Sequence, residues 1–238
     1  MNDPAPQPSG LLLFDKPRGI TSHDAVDLLR RRLSMRRIGH SGTLDPMATG
    51  LLILLVGKAT SVQASLQGSA KVYGGTIRFG AETDTWDAEG KVVAEAPLPD
   101  LSAAALDKAA AAFEGRIVQQ VPPHSAVRLQ GQPMYKLARK GAALPEVRRE
   151  VTVRWLSRTP RPPAELDFVL ECSGGTYVRS IACELGRAMG SRAHLSALRR
   201  LSIGSWRVED ALTAAKVASM SPEALAAALR PVPGGAGA

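Results

Sequence analysis

The sequence predicts an α+β fold whose sheet is mixed but mostly antiparallel, flanked by helices and loops. Apolar runs of strand length recur along the 238 residues, yet they do not alternate with helices in a βαβ rhythm. The helical stretches between them are short and irregularly placed. Hydrophobic residues make up 45% of the chain and aromatic ones only 4%, so the core has to be assembled from Leu, Val, Ile and Ala.

Each element follows from local pattern. The apolar run 11–14 is cut off by Lys16-Pro17-Arg18-Gly19, a strand and then a turn. Ser22 is a candidate cap for a helix whose inner face is Val26, Leu29 and Leu33, at helical spacing. Arg30, Arg31, Arg32, Arg36 and Arg37 decorate its outer side and end. They read either as a solvated face or as phosphate contacts. The unbroken apolar run 51–56 predicts a strand buried on both faces. A strand is expected over 72–79, with Tyr73 near its start. The turn-rich acidic loop T-D-T-W-D-A-E-G (83–90) then leads to a strand at Val92. Residues 102–113 form an alanine-rich helix stopped by Gly115. Strands are expected over 117–121, 151–156 and 166–172, and a helix over 181–189 ending at Gly190. Pro222, after Ser221, begins a last short helix. Residues 1–9 and 231–238 read as flexible tails around one domain, 10–230, and no internal repeat is visible.

Composition narrows the classes of partner. The formal net charge is +8, which favours a polyanion, nucleic acid first. Cys172 and Cys183 are spaced for neither a metal knuckle nor a redox pair, and read as buried thiols in a reducing compartment. The N-terminus lacks a basic segment leading into an apolar run, and no apolar stretch reaches membrane-spanning length. A cytoplasmic protein is the expectation. The basic stretch 122–150 contains Lys136, Arg139, Lys140, Arg148 and Arg149 against Glu146 and Glu150, together with Tyr135, Gly131 and Gly141. Such an excursion suits either an RNA grip or an ordinary surface hairpin.

Several chemical motifs nearly occur and fail. Gly50 to Thr60 ends in G-K-A-T with the wrong glycine spacing for a phosphate loop. G-H-S-G lacks the second glycine of a nucleophile elbow, so Ser41 is a poor hydrolase nucleophile. His23, His40, His124 and His194 have no ligand spacing, which argues against a catalytic metal. What remains centres on Asp45 in G-H-S-G-T-L-D-P-M-A-T-G (39–50). Glycines let backbone approach a ligand, and the apolar run behind would hold the loop still. A plain helix start, with Asp45 as cap and Pro46 at the first position, fits the same residues. Arg179 lies in S-G-G-T-Y-V-R (173–179), a glycine turn able to bring it and Tyr177 to a site. Beside Asp45 it would keep that carboxylate ionised and aimed. Pairing with a surface acid is the other reading, and spacing does not choose between them.

These blocks resemble the bacterial tRNA pseudouridine synthase B family. The resemblance spans roughly residues 11–208 and includes L-L-L-F-D-K-P-R-G-I-T-S, the Asp45 loop, the Tyr73 strand with T-D-T-W-D-A-E-G, G-G-T-Y-V-R and A-H-L-S-A-L-R-R-L (193–201). It implies a pseudouridine synthase fold and isomerisation of the uridine in the TΨC loop of tRNA. By the same resemblance Asp45 matches the essential aspartate, Tyr73 the tyrosine that stacks on the target base, and Arg179 the arginine that pairs with the aspartate. His40, Tyr177 and Leu198 match positions lining the substrate pocket, and 122–150 matches an RNA-gripping thumb. The reaction neither gains nor loses atoms, so no redox cofactor or ATP is implied. The expected partner is the tRNA T stem-loop, bound by a monomer. A phenol's pKa is about 10, which makes stacking the secure role of Tyr73 and C5 deprotonation the weaker one. His40 is either a base extruder, filling the space the base leaves, or a loop-ordering hydrogen-bonding residue.

Two departures stand out. His124 and Arg128 replace the tyrosine and lysine of the family's P-x-Y-S-A-x-K segment, which bears on thumb contacts rather than chemistry. After Val208 about thirty residues follow, so the C-terminal PUA-type RNA-binding module in which bacterial members often continue is not expected to be recognisable here.

Overall fold

The structure, a computed structural model, describes residues 7–129, 131–138, 140 and 144–232. Arg139 and Gly141 of the basic stretch, and most of both expected tails, lie outside the described residues. The chain forms two compact units, one made of residues 1–72 with 199–238 and the other of residues 73–198.

The first unit opens with strand β1 (Gly10–Lys16), helix α1 (Ser22–Leu33), strands β2 (Ile38–His40) and β3 (Thr49–Val56), and helix α2 (Gln63–Gly68). β1 runs antiparallel to β3, with Leu12 opposite Leu54 and Phe14 opposite Leu52. Side chains alternate across the pair, and both faces are covered. Leu12, Phe14, Leu52 and Leu54 pack with Val26 and Leu29 of α1. Leu11, Leu13, Leu51, Ile53 and Leu55 pack the other way against Ala59 and Leu66. Double coverage is why the sequence run is unbroken rather than alternating. Each such leucine contributes about 1.5–3 kcal/mol of burial.

Helix α1 is capped one residue earlier than its sequence suggested. Thr21 accepts from the Asp24 amide, and the Asp24 carboxylate takes the Thr21 N–H in return, a reciprocal capping box. Ser22 is instead the first helical residue, buried, with its hydroxyl spent on Leu44. Val26 and Leu29 are buried as expected, and Leu33 packs at the margin of the same cluster.

The second unit comprises β4 (Lys71–Phe79, from Tyr73), β5 (Ala81–Thr83), β6 (Val92–Glu95), α3 (Ala103–Ala110), β7 (Gly115–Gln120), β8 (Arg128–Leu129), β9 (Gln132–Pro133), α4 (Met134–Ala138), β10 (Arg148–Arg161), β11 (Glu165–Cys172), α5 (Val178–Ala188) and the first half of β12 (Ala193–Ile203). Its main strands lie in the order β12, β4, β11, β10, β7. β10 is far longer than the expected 151–156, and it carries a bulge between Trp155 and Ser157 that leaves Leu156 exposed. Helix α5 begins at Val178, three residues before the expected start, because Tyr177 supplies the extended N-cap backbone. The basic stretch holds the β8–β9 hairpin and α4, with Arg128, Lys136 and Lys140 exposed.

Both cysteines are buried thiols in this unit, and burial pushes the Cys183 thiol up to about 12. In native protein at pH 8 neither thiol should react with a disulfide reagent, and both should react in denaturant. A fast native thiol would contradict this packing.

The first unit is completed by the second half of β12, then β13 (Trp206–Arg207), β14 (Leu212–Thr213), α6 (Ala214–Ser219) and α7 (Pro222–Ala227). β12 runs parallel to β3, with Arg200 opposite Gly50, and β14 runs parallel to β1, with Phe14 opposite Leu212. Val217 and Leu225 join the α1 face of the core. The fold is α+β with a mixed, mostly antiparallel sheet. No helix among the described residues is long and apolar enough to cross a membrane.

Candidate active site

The Asp45 loop connects β2 to β3 and is anchored almost residue by residue. At its neck Ser41 N–H donates to Ile53 O at 2.9 Å, and the buried Ser41 hydroxyl accepts from Ile53 N–H at 3.2 Å. Leu44 exchanges two hydrogen bonds with the Ser22 hydroxyl. Pro46 O accepts from Gly19 N–H at 2.8 Å and from the ammonium of Lys16 at 3.3 Å. Lys16 is fully buried and also donates to Pro17 O and Ile20 O, so carbonyl dipoles solvate its charge. The Ala48 amide closes a tight turn on Asp45 O at 3.0 Å, with Pro46 at its second position. Asp-Pro therefore makes a turn here, and the helix-start reading is not adopted. The Asp45 side chain is half-buried.

His40 ends β2. Gly42 N–H donates to its Nδ1 at 3.2 Å, so a loop-ordering hydrogen bond is present with the histidine ring as acceptor. Burial first, then the charges of Arg200 and His23, hold the imidazole below its ordinary pKa of 6.5. The unfolded chain thus takes up a proton that the folded chain resists. His40 costs no stability above 6.5, and the cost grows as pH falls from there until the folded ring itself protonates. His40→Gln should flatten that part of the acid-stability profile, read as denaturant midpoints between pH 7 and 5. An unchanged profile would show that His40 is not depressed.

In the second unit, Tyr73 and Leu198 are buried on β4 and β12. Tyr177 is held by its backbone. Gln119, fully buried on β7, accepts from Tyr177 N–H at 2.7 Å and donates to Tyr177 O at 3.2 Å. The Arg149 guanidinium lies over the Tyr177 ring, 5.5 Å from its centroid, and donates to Gly175 O.

Arg179, in the first turn of α5, is buried rather than at the surface. It donates to Thr85 O at 2.8 Å and His124 O at 3.1 Å, and its Nε lies 3.7 Å from the buried carboxylate of Asp87. Asp87 is fixed in turn by the Thr85 hydroxyl at 2.6 Å and the Glu89 amide at 3.1 Å. The turn-rich 83–90 segment is therefore a cradle for a guanidinium. The surface-acid reading of Arg179 fails, because the acid it meets in this unit is as buried as the arginine. Sequence reasoning missed Gln119, Lys16 and Arg200; each is a polar residue at a position the strand pattern turns inward, the one signal that could have exposed them.

Two solved structures share the architecture. A Cbf5-Nop10-Gar1 complex aligns with a TM-score of 0.71 and 25% identity, covering 93% of this chain and 60% of that one. An H/ACA RNP bound to a substrate RNA containing 2'-deoxyuridine aligns with a TM-score of 0.62 and 26% identity, covering 86% and 50%. The fold is thus that of the pseudouridine synthases.

The family model for the TruB family pseudouridylate synthase (N terminal domain) matches residues 30–178. The tRNA pseudouridine synthase B of Opitutus terrae is 46% identical over 213 residues, 90% of this chain and 88% of that protein. Its counterpart in Xanthomonas campestris pv. campestris (strain B100) is 45% identical over 86% of this chain and 66% of that protein, and that of Aromatoleum aromaticum 42% over 94% and 72%. The chain belongs to the TruB family of pseudouridylate synthases.

Proposed function

We propose that this chain isomerises the uridine of the tRNA T loop to pseudouridine. The N1–C1′ bond breaks, the base turns, C5 bonds to C1′, and C5 gives up a proton while N1 gains one. Asp45 acts as nucleophile toward base or sugar, or assists a sugar intermediate, and Arg179 pairs with it. Tyr73 stacks on the extruded base, and His40, Tyr177 and Leu198 line its pocket. Stacking and pocket contacts offset the few kcal/mol of leaving the RNA stack. The observation carrying this reading is the Asp45 loop, one half-buried carboxylate on a turn tied down on both sides.

Charge supports an RNA partner. Between Asp27 and Glu82 the sole acidic residue is Asp45, against Arg30, Arg31, Arg32, Arg36, Arg37, Lys58, Lys71 and Arg78. Arg31, Arg36, Arg37 and Lys58 are exposed in the first unit, as are Arg128, Lys136 and Lys140 of the thumb in the second. Arg36→Ala/Arg37→Ala and Lys136→Ala/Lys140→Ala proteins should each bind tRNA more weakly, with the slope of log K against log salt reduced by about one per lost phosphate contact. A slope equal to wild type would remove that pair from the RNA interface.

The deciding experiment is incubation of purified protein with unmodified tRNA, followed by nucleoside analysis. Pseudouridine at the T loop is expected. Free uracil with an abasic site would make the protein a glycosylase, and unmodified bound tRNA would make it a binding protein on the same scaffold.

A further inference from the structure

The loop bearing Asp45 runs from the end of β2 to the start of β3, and one side chain reaches a carbonyl near each end, Gly42 O just past β2 and Leu51 O early in β3. Arg200 Nε donates to Leu51 O at 2.7 Å, and its Nη2 donates to Gly42 O at 3.2 Å. The Arg200 backbone abuts the same loop, pairing with Gly50 so tightly that a Cβ there would lie 2.3 Å from Arg200 O. The side chain is 1% exposed. Burying a guanidinium is unfavourable without a neutralising carboxylate, and among the described residues the partners of Arg200 are carbonyl oxygens. Methionine would fill the space without that electrostatic penalty. What a planar fork alone adds is a rigid span between acceptors on opposite limbs of one loop.

We propose that Arg200 is a positioning residue for the isomerisation, clipping the limbs of the 42–51 loop together so that the Asp45 carboxylate is held in register with its substrate. This rests on Asp45 being the catalytic carboxylate. Ser41 closes the neck outside the clip, while Ser22 and Lys16 secure single points within it. Arg200 hydrogen-bonds to a carbonyl on each limb. Its charge also falls on His40, which gives a readout independent of turnover.

The test uses the full chain as wild type, Arg200→Met, Arg200→Lys and Asp45→Asn. Single-turnover pseudouridine formation, tRNA Kd, amide exchange across residues 43–49 and the His40 titration are measured on each. Arg200→Met should slow the chemical step about a hundredfold, the scale of an ångström-sized misplacement. Its tRNA Kd should stay within about threefold, the pattern of a lost transition-state interaction. Its loop amides should exchange about tenfold faster. Its His40 pKa should rise. Arg200→Lys keeps the charge but not the fork, so its rate should stay low and its loop amides fast while its His40 pKa stays depressed.

Wild-type rates in Arg200→Met, full rescue by lysine, or a loss seen equally in rate and tRNA affinity would overturn the proposal. If Arg200→Met fails to fold, Arg200→Lys decides alone: a slow step with faster loop exchange supports the clip, and wild-type values refute it. If wild type forms no pseudouridine, the failure belongs to the functional reading. Unaltered loop exchange in the Arg200 variants would then refute the clip separately.

Discussion

Asp45→Asn protein is expected to bind unmodified tRNA within about threefold of wild type while forming pseudouridine on the order of 10⁴-fold more slowly, the scale seen when a reacting side chain is removed. The substitution is nearly isosteric, and the Asp45 carbonyl and the Ala48 amide, both kept, close the turn it sits in. The anchors at Ser41, Leu44 and Pro46 are likewise untouched. What disappears is the anionic oxygen. Affinity for a polyanion rests on the exposed arginines and lysines and should survive. Single-turnover assays with saturating enzyme, alongside a filter-binding Kd, separate the two quantities. Turnover at the wild-type rate would move the chemistry to another residue.

Gly50→Ala is expected to destabilise the protein by about 3 kcal/mol or more, because overpacking against rigid backbone and positive-φ strain act together. Gly50 has φ +101°, and an added methyl would meet Arg200 O at 2.3 Å and Arg200 N at 2.7 Å. Neither neighbour is a flexible side-chain tip; both belong to the parallel pair that joins β12 to β3. Gly68→Ala is the control. Nothing lies within 4 Å of its would-be methyl, and its midpoint should move by less than about 1 kcal/mol. A shift in urea midpoint with an unchanged slope reads the effect as stability alone. A Gly50→Ala midpoint equal to wild type would mean that the β3–β12 contact is looser than described.

The elements that could be read from the sequence were those whose burial leaves a one-dimensional trace. The unbroken run from Leu51 to Val56 announced a doubly covered strand, and Val26 and Leu29 announced the inner face of α1. Ser221 and Pro222 marked the start of α7 where the structure has it. The cap at Thr21 was misplaced by one residue because Thr21 and Ser22 are chemically alike; only the tertiary partner Leu44 shows which hydroxyl is occupied elsewhere. Short pairings such as β2 on β3 or β14 on β1 left no trace, since two or three residues define no period.

The candidate site divides in the same way. Asp45, Tyr73 and Arg179 were visible because their blocks resemble a family, not because their spacing demands chemistry. The cradle of Thr85, Asp87 and His124 around Arg179, and the grip of Gln119 on Tyr177, join residues far apart in the chain. Such contacts exist only after folding, and one sequence does not print them.

The division of the chain carries a consequence for its biosynthesis. The 73–198 unit is continuous, so all of it has been translated by the time residue 198 is added. Strand β1 is translated well before the partners it waits for, Leu212 and the Arg230 carbonyl that receives the Leu11 amide. Vectorial synthesis therefore favours the middle of the polypeptide maturing ahead of its beginning. The nascent leucine-rich pair of β1 and β3 spends that interval with Val217 and Leu225 still missing from one side, its apolar face uncovered there.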